Sequence, residues 1–140
     1  YEREKLDQKP ALTSISRSVD YCKALLAYRS RECFYAVCLD SRRKIIHTSK
    51  VSEGTVNDSL VSPRIVVEKA LRYKATGVLL CHNHPGGSVK PSMEDVHLTN
   101  QLRKMLEPLG VVVMDHIIIG ENQYFSFFEN NLLKGSILEE

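Results

Sequence analysis

The residues best suited to chemistry lie in one short stretch, between Cys81 and Asp95. His82 and His84 stand two positions apart at the end of an apolar run, so their side chains share one side if that run is a strand. Asp95 follows a Gly- and Pro-rich loop that is long enough to fold the next helix start back over the strand end. Imidazole and carboxylate groups suit zinc. We therefore predict one Zn²⁺ per chain, bound by His82, His84 and Asp95.

Three protein ligands leave one position of a tetrahedral zinc site open, which is typical of a catalytic site, where a bound water has its pKa lowered toward ~7. Two plainer interpretations remain open at this point. A His-x-His pair can line a strand edge without any metal. Ser92 and Asp95 fit the pattern S-x-x-D, which is also an ordinary helix capping box.

The surrounding sequence predicts the elements that must position this stretch. Apolar periodicity and turn residues predict the order α-β-β-α-β-α-β-β, hence an α/β (α+β) fold with a mixed sheet and helices packed on it. In the second helix we expect Val66, Ala70 and Leu71 to face inward. The predicted elements are a helix from Ser16 or Ser18 to about Tyr28, strands Glu32–Leu39 and Lys44–Val51, a helix from Ser62-Pro63, strand Gly77–Cys81, a helix from Ser92, and strands Val111–Ile119 and Tyr124–Phe128.

Composition fits one soluble domain of 140 residues, with 43% hydrophobic and 26% charged residues. We expect residues 1–15 to be a linker or N-terminal arm and residues 16–140 to be the domain. The net charge of +2 is too close to neutral to indicate nucleic-acid binding by itself. The four cysteines form no CxxC pair, which favours buried, reduced thiols in a cytoplasmic protein. No apolar run reaches the ~20 residues that cross a membrane.

The pattern His82-x-His84-Pro85, followed by Ser92-x-x-Asp95, resembles the JAMM motif of the MPN-domain metalloproteases. The neighbouring sequence is similar to the RadC family from about Ser14 to Leu133. The segments that carry this second similarity are His82-Asn83-His84-Pro85-Gly86-Gly87, Gly54-Thr55, Ser62-Pro63-Arg64 and Asp115-His116-Ile117-Ile118-Ile119-Gly120.

This resemblance implies an MPN (JAB/cytidine-deaminase-like) architecture, zinc on His82, His84 and Asp95, and Ser92 as a donor to the oxyanion of a tetrahedral intermediate. It implies a metallohydrolase that cleaves a peptide or isopeptide bond, with DNA-repair proteins or DNA as possible partners. RadC-like proteins usually carry a helix-hairpin-helix segment before this domain. This sequence has none, so we expect either a longer parent protein or a short family member.

One departure from the family pattern concerns the general base, a Glu on the second strand. Alignment on Gly54-Thr55 places it at Thr48 or Ser49, and neither side chain accepts a proton at neutral pH. Glu53 lies ~13 Å beyond Ser49 at ~3.3 Å per residue, so it could replace that acid only through a bulge. Loss of a base commonly costs ~10²–10⁴-fold in rate. The alternative function is therefore a weakly active or inactive metal-binding interaction module in DNA repair or recombination.

His116 is the other residue with two interpretations. It could orient a metal ligand, or it could be a hydrogen-bonded histidine of the core. We expect Cys81, which precedes the first ligand, to point to the opposite side of its strand and to belong to the core.

Overall fold

The structure is a computed structural model in which residues 10–27, 29–54 and 61–133 are described. Their elements follow the predicted order, with a short 3₁₀ turn after the third helix. In chain order they are α1 (Ile15–Leu26), β1 (Glu32–Leu39), β2 (Ile45–Gly54), α2 (Pro63–Arg72), β3 (Gly77–Asn83), α3 (Met93–Leu106), the 3₁₀ turn (Glu107–Leu109), β4 (Val112–Gly120) and β5 (Gln123–Ser126).

The five strands form one mixed sheet in the order β2-β1-β3-β4-β5. β1 is antiparallel to both β2 and β3, whereas β3 and β4 are parallel neighbours joined through α3. β5 returns antiparallel to β4. This mixed sheet with three α-helices confirms the predicted fold class.

Helices cover both faces of the sheet. α1 packs on one face through Val19, Cys22 and Leu26, while α2 and α3 pack on the other. β1 and β3 are buried along their whole length, because both of their faces are covered. All four cysteines are buried and unpaired.

Some predicted details of the helices differ from the structure. α1 begins at Ile15 and is capped by Ser14, whose hydroxyl accepts a hydrogen bond from the Arg17 backbone N–H. In α2, Val66 and Ala70 are buried but Leu71 is 53% exposed, so the inward placement of Leu71 was wrong. Successive helical residues are ~100° apart, and α2 buries only a narrow stripe.

Much of the predicted arm, residues 1–9, lies outside the described residues. Within the described part, Ala11 pairs with Lys44 as an isolated β-bridge and Leu12 is buried in the α1-side core. Among the described helices, none is long and apolar enough to cross a membrane.

Candidate metal centre

Three elements meet where β3 ends. β3 carries His82, with His84 just beyond it, and β1 begins beside this end because it runs antiparallel to β3 with Phe34 opposite His82. Glu32, two residues before Phe34, therefore lies on the same face of the sheet as His82. The first turn of α3 brings Asp95 to the same place. The candidate site is thus built from one local segment and one distant strand.

The ligand-type atoms of these residues converge on a small volume. His82 Nε2 lies 3.0 Å from His84 Nε2, and the two Asp95 oxygens each lie 3.4 Å from one of these nitrogens. Glu32 Oε1 is 3.8 Å from His82 Nε2. The ligand atoms of Glu32, His82 and His84 all lie within 4.8 Å of one another, so this cluster could hold a metal ion.

A chain of hydrogen bonds fixes which nitrogen of His82 faces the cluster. The Thr99 hydroxyl donates to the Asp95 carbonyl (2.8 Å), so it must accept from Nδ1 of His116 (2.6 Å). Since the neutral His116 ring then has its lone pair on Nε2, it accepts from Nδ1 of His82 (2.8 Å). The remaining lone pair of His82 is on Nε2, directed at the cluster. Both interpretations of His116 therefore apply: it is a buried core histidine and it orients His82.

His84 is oriented in the same sense. Its Nδ1 donates to the Ser88 carbonyl over 2.8 Å, which leaves the Nε2 lone pair facing His82. Two imidazole lone pairs and two carboxylates thus converge, and these four groups are all acceptors. An arrangement of acceptors without a donor is repulsive unless a cation or proton lies among them. These four groups, as metal ligands, therefore fit a divalent metal ion.

In the metal-free protein a proton takes the place of the cation in a hydrogen bond between a histidine ring and Asp95, and the pKa shifts describe that state. The hydrogen bond to Asp95 raises the pKa of His84. Burial by itself would raise the pKa of Asp95, but the hydrogen bonds from His82 and His84 outweigh it and hold that pKa well below its usual range. Burial lowers the pKa of His116 well below its ordinary value, so this ring stays neutral.

Ser92 and Asp95 form the capping box that the spacing allowed. The Ser92 hydroxyl oxygen accepts from the Asp95 backbone N–H (3.0 Å), and the Ser92 N–H donates to Asp95 Oδ2 (2.9 Å). The cap and the metal role are compatible, because Asp95 still presents both oxygens to the histidines. The Ser92 hydroxyl lines the cleft at the site, and its role as an oxyanion donor stays a prediction.

The acid of the site is not where the sequence alignment placed it. Thr48 is hydrogen-bonded to the Tyr21 hydroxyl, and Ser49 is buried opposite Ala36, far along β1 from the site. Glu53 lies opposite Cys33, hence on the other face of the sheet, where it is ion-paired with Lys50. The structure therefore brings neither Thr48 or Ser49 nor Glu53 to the histidine cluster.

Glu32 is the acid that sequence reasoning missed. It opens β1, and antiparallel pairing with β3 carries it to the histidines. A signal was available, because Glu32 is the one acidic residue inside the predicted strand Glu32–Leu39. The pairing of β1 with β3, which are separated by β2 and α2 in the chain, was the missing information.

A cleft of about 1050 Å³ opens over the cluster. One wall is apolar and includes Phe34, Val61 and Leu98. The ionisable acids of the lining are Glu32, Glu94 and Asp95, and the described lining residues include no Lys or Arg. The site is therefore reachable by a ligand and carries negative charge before any cation binds.

Comparison with known proteins places the chain in a family. The model of the RadC-like JAB domain matches residues 12–132. A UPF0758 protein of Pseudomonas fluorescens (strain SBW25) is 42% identical over 126 residues, which are 90% of this chain and 56% of the relative. A UPF0758 protein of Clostridioides difficile (strain 630) is 46% identical over 108 residues, or 77% and 46% of the two chains. The chain thus spans about half the length of these relatives.

A UPF0758 protein of Vibrio cholerae (strain M66-2) is 38% identical over 129 residues, again with 92% of this chain but 58% of the relative covered. The names of these relatives state no activity. The matched region includes both histidines, Asp95 and Glu32. The chain belongs to the RadC-like JAB domain family.

Proposed function

We propose that this domain is a zinc-dependent hydrolase that cleaves a peptide or isopeptide bond. The observation that carries the proposal is the convergence of two correctly oriented imidazoles with two carboxylates at the floor of an open cleft. Borderline-soft imidazole nitrogens combined with carboxylate oxygens are a ligand set that zinc hydrolases use.

The two carboxylates have different roles in this proposal. Asp95 approaches both histidines, with one oxygen 3.4 Å from each Nε2, so we assign it with His82 and His84 as a ligand. Glu32 Oε1 lies farther from His82 Nε2, at 3.8 Å, and the ligand atoms of Glu32 and His84 lie within 4.8 Å of each other. We assign Glu32 as the general base because it stands beside the ligand set.

A zinc ion held there would supply Lewis-acid chemistry, polarising a carbonyl group and making water a stronger nucleophile. Glu32 Oε accepts the proton of the attacking water and returns it to the leaving amine. The Ser92 hydroxyl donates to the substrate carbonyl oxygen as negative charge develops on it. The buried His116–Thr99 pair keeps a proton on His82 Nδ1 throughout the reaction.

The charge of the cleft favours a bond in a protein over one in a nucleic acid. Three carboxylates line it, so one divalent ion leaves it net negative when the histidines are neutral. A phosphodiester backbone would be repelled by such a lining, whereas an amide or isopeptide carbonyl is uncharged. We propose a protein or peptide substrate; a link to DNA-repair proteins follows only from the family resemblance.

The alternative of an inactive metal-binding module had two supports, the missing acid and the association of the RadC family with DNA repair. The first support is weakened, because the Glu32 carboxylate stands 3.8 Å from His82. The module becomes the outcome to expect if zinc-loaded protein hydrolyses nothing.

The test combines zinc content with turnover of peptide and isopeptide-linked substrates. Wild-type protein should hold one zinc per chain, and Asp95→Asn should lose most of it. Glu32→Gln should keep the zinc and lose ~10²–10⁴-fold in kcat, the usual contribution of a general base. Glu94→Gln is the matched control, because Glu94 lines the same cleft but is absent from the His–carboxylate cluster.

Two results would contradict the proposal. If Glu32→Gln loses zinc while Asp95→Asn retains it, the ligand and base roles are reversed. If fully zinc-loaded wild type turns over no peptide or isopeptide substrate but binds branched DNA or a repair protein, the hydrolase is refuted in favour of the module.

A further inference from the structure

Asn83 lies between the two histidines but turns away from them. As the last residue of β3 it alternates with His82, so its side chain lies on the opposite face of the sheet. It is only 3% exposed, and the hydrogen-bond partners of its polar atoms lie outside the candidate metal site. A buried carboxamide in this position requires partners, because an unsatisfied one costs ~1–3 kcal/mol.

The partners of Asn83 are all backbone groups of the segment that carries Glu32. Asn83 Oδ1 accepts from the Cys33 N–H over 2.7 Å. Asn83 Nδ2 donates to the Arg31 carbonyl over 2.9 Å and to the Arg29 carbonyl over 3.5 Å. The carboxamide therefore holds the backbone on both sides of Glu32.

These contacts begin where the regular sheet ends. The last backbone pair between β1 and β3 is Phe34 with His82, and beyond it these two strands are no longer paired with each other. The Asn83 side chain extends the connection past that pair, so the start of β1 stays attached to β3. Without it, Glu32 would be held only on the other edge of β1, where Glu32 pairs with Gly54 of β2, next to the exposed residues 29–31.

We propose that Asn83 is a positioning residue that sets the distance between Glu32 and the two histidines. This inference deepens the proposed hydrolase function and rests on it for its kinetic consequences. The side chain must be an amide, since it needs an acceptor for one N–H and a donor for two carbonyls. Aspartate would keep the acceptor and lose the donor, and alanine would lose both.

The first arm of the test measures kinetics and zinc binding together. Asn83→Ala and Asn83→Asp should lower kcat, by about 100-fold for a displacement of ~1 Å in the base, with KM nearly unchanged. Zinc affinity should remain within a few-fold of wild type, because the ligands are His82, His84 and Asp95. Asn130→Ala is the matched control, since Asn130 also donates to a backbone carbonyl (Ser126, 2.7 Å) but lies after β5.

The second arm needs no activity. Hydrogen exchange followed by NMR should show the Cys33 amide protected in wild type and exposed in Asn83→Ala, with Ala36 unchanged in the middle of β1. If wild type has no hydrolase activity, the proposed function fails while this arm still decides the inference. Should Asn83→Ala not fold, Asn83→Asp is the variant to measure. Faster amide hydrogen exchange in the Arg29–Glu32 segment, with unchanged zinc affinity, would then support the inference.

Three outcomes overturn the inference. One is turnover by Asn83→Ala within twofold of the Asn130→Ala control. Another is unchanged Cys33 exchange in the same variant. The third is loss of zinc in parallel with activity, which would mean that Asn83 acts on the ligands rather than on Glu32.

Discussion

Thr99 is the outermost member of the chain that orients His82, and its replacement by valine tests that chain with almost no change in shape. The Thr99 hydroxyl accepts from His116 Nδ1 and donates to the Asp95 carbonyl. Both Thr99 and His116 are buried, so no water can replace the lost oxygen from bulk solvent. Thr99→Val therefore leaves the His116 ring with two unfavourable choices.

In the first choice His116 keeps its proton on Nδ1 with no acceptor, which costs ~1–3 kcal/mol of folding free energy. In the second, His116 moves that proton to Nε2 and donates to His82 Nδ1. His82 must then carry its own proton on Nε2, the atom that faces the candidate metal site and would bind the ion. Loss of such a supporting hydrogen bond typically weakens metal affinity by 10–100-fold. We expect Thr99→Val to lose both stability and zinc affinity within these ranges.

Zinc affinity can be measured by competition with a chromophoric chelator, and stability by thermal unfolding in EDTA. Thr48→Val is the matched control, because it removes a threonine hydrogen bond to Tyr21 (2.7 Å) away from the site. Thr99→Ser restores the hydroxyl and should recover most of the affinity. If Thr99→Val binds zinc within twofold of Thr48→Val, the assignment of the His82 tautomer is refuted.

Two further predictions concern the loop and the metal-free site. A Cβ on Gly120 would lie 2.5 Å from the Gly87 carbonyl oxygen and 2.6 Å from Val89 Cγ1. Gly120→Ala should therefore displace the loop whose Ser88 carbonyl holds His84, lower the free energy of unfolding by ~1–3 kcal/mol and weaken zinc binding. Gly77→Ala, whose Cβ would meet the flexible Met114 side chain, should change neither the free energy of unfolding nor the zinc affinity measured by chelator titration. Equal effects of the two variants would contradict the role of the loop. In metal-free protein the raised pKa of His84 gives stability that is complete below the unfolded pKa of ~6.5 and is lost as pH rises through the folded pKa. The lowered pKa of Asp95 gives stability that is present above the unfolded pKa of ~3.9 and is lost as pH falls. Melting temperatures in EDTA should therefore separate wild type from Asp95→Asn most between about pH 4 and 6.5 and least at pH 9; a separation that grows toward pH 9 would contradict the pairing.

The sequence predicted most elements because their signals are local. Strand β1 was predicted with its observed bounds, Glu32–Leu39, from the alternation of its side chains on a strand period and from the turn residues that begin at Asp40. The capping box of α3 was equally local, because Ser92 and Asp95 are separated by less than one turn. Leu71 failed because its exposure depends on how α2 is rotated against the sheet, which periodicity in ten residues determines poorly.

The residues of the candidate site likewise fall into those that local sequence predicts and those that depend on strand pairing. His82, His84 and Asp95 come from one β-loop-α segment, so their spacing alone brings them together. Glu32 and His116 arrive on neighbouring strands, and their positions depend on pairings that the sequence does not state. The alignment placed the base at Thr48 or Ser49 on β2, whereas the acid that lies beside the histidines is Glu32 on β1, the other strand of the same hairpin.

This division has a consequence for how the domain can lose function. The proposed ligands belong to a local unit stabilised by the capping box and by the His116 chain, neither of which involves β1. The proposed base depends on β1 and on the Asn83 carboxamide that holds its first residues. Displacement of Glu32, with Phe34 kept in its stacked position on His82, should therefore abolish hydrolysis and spare metal binding, whereas damage to the β3–α3 segment removes both. Under the proposed function, metal content alone therefore does not measure activity, which depends also on the position of Glu32.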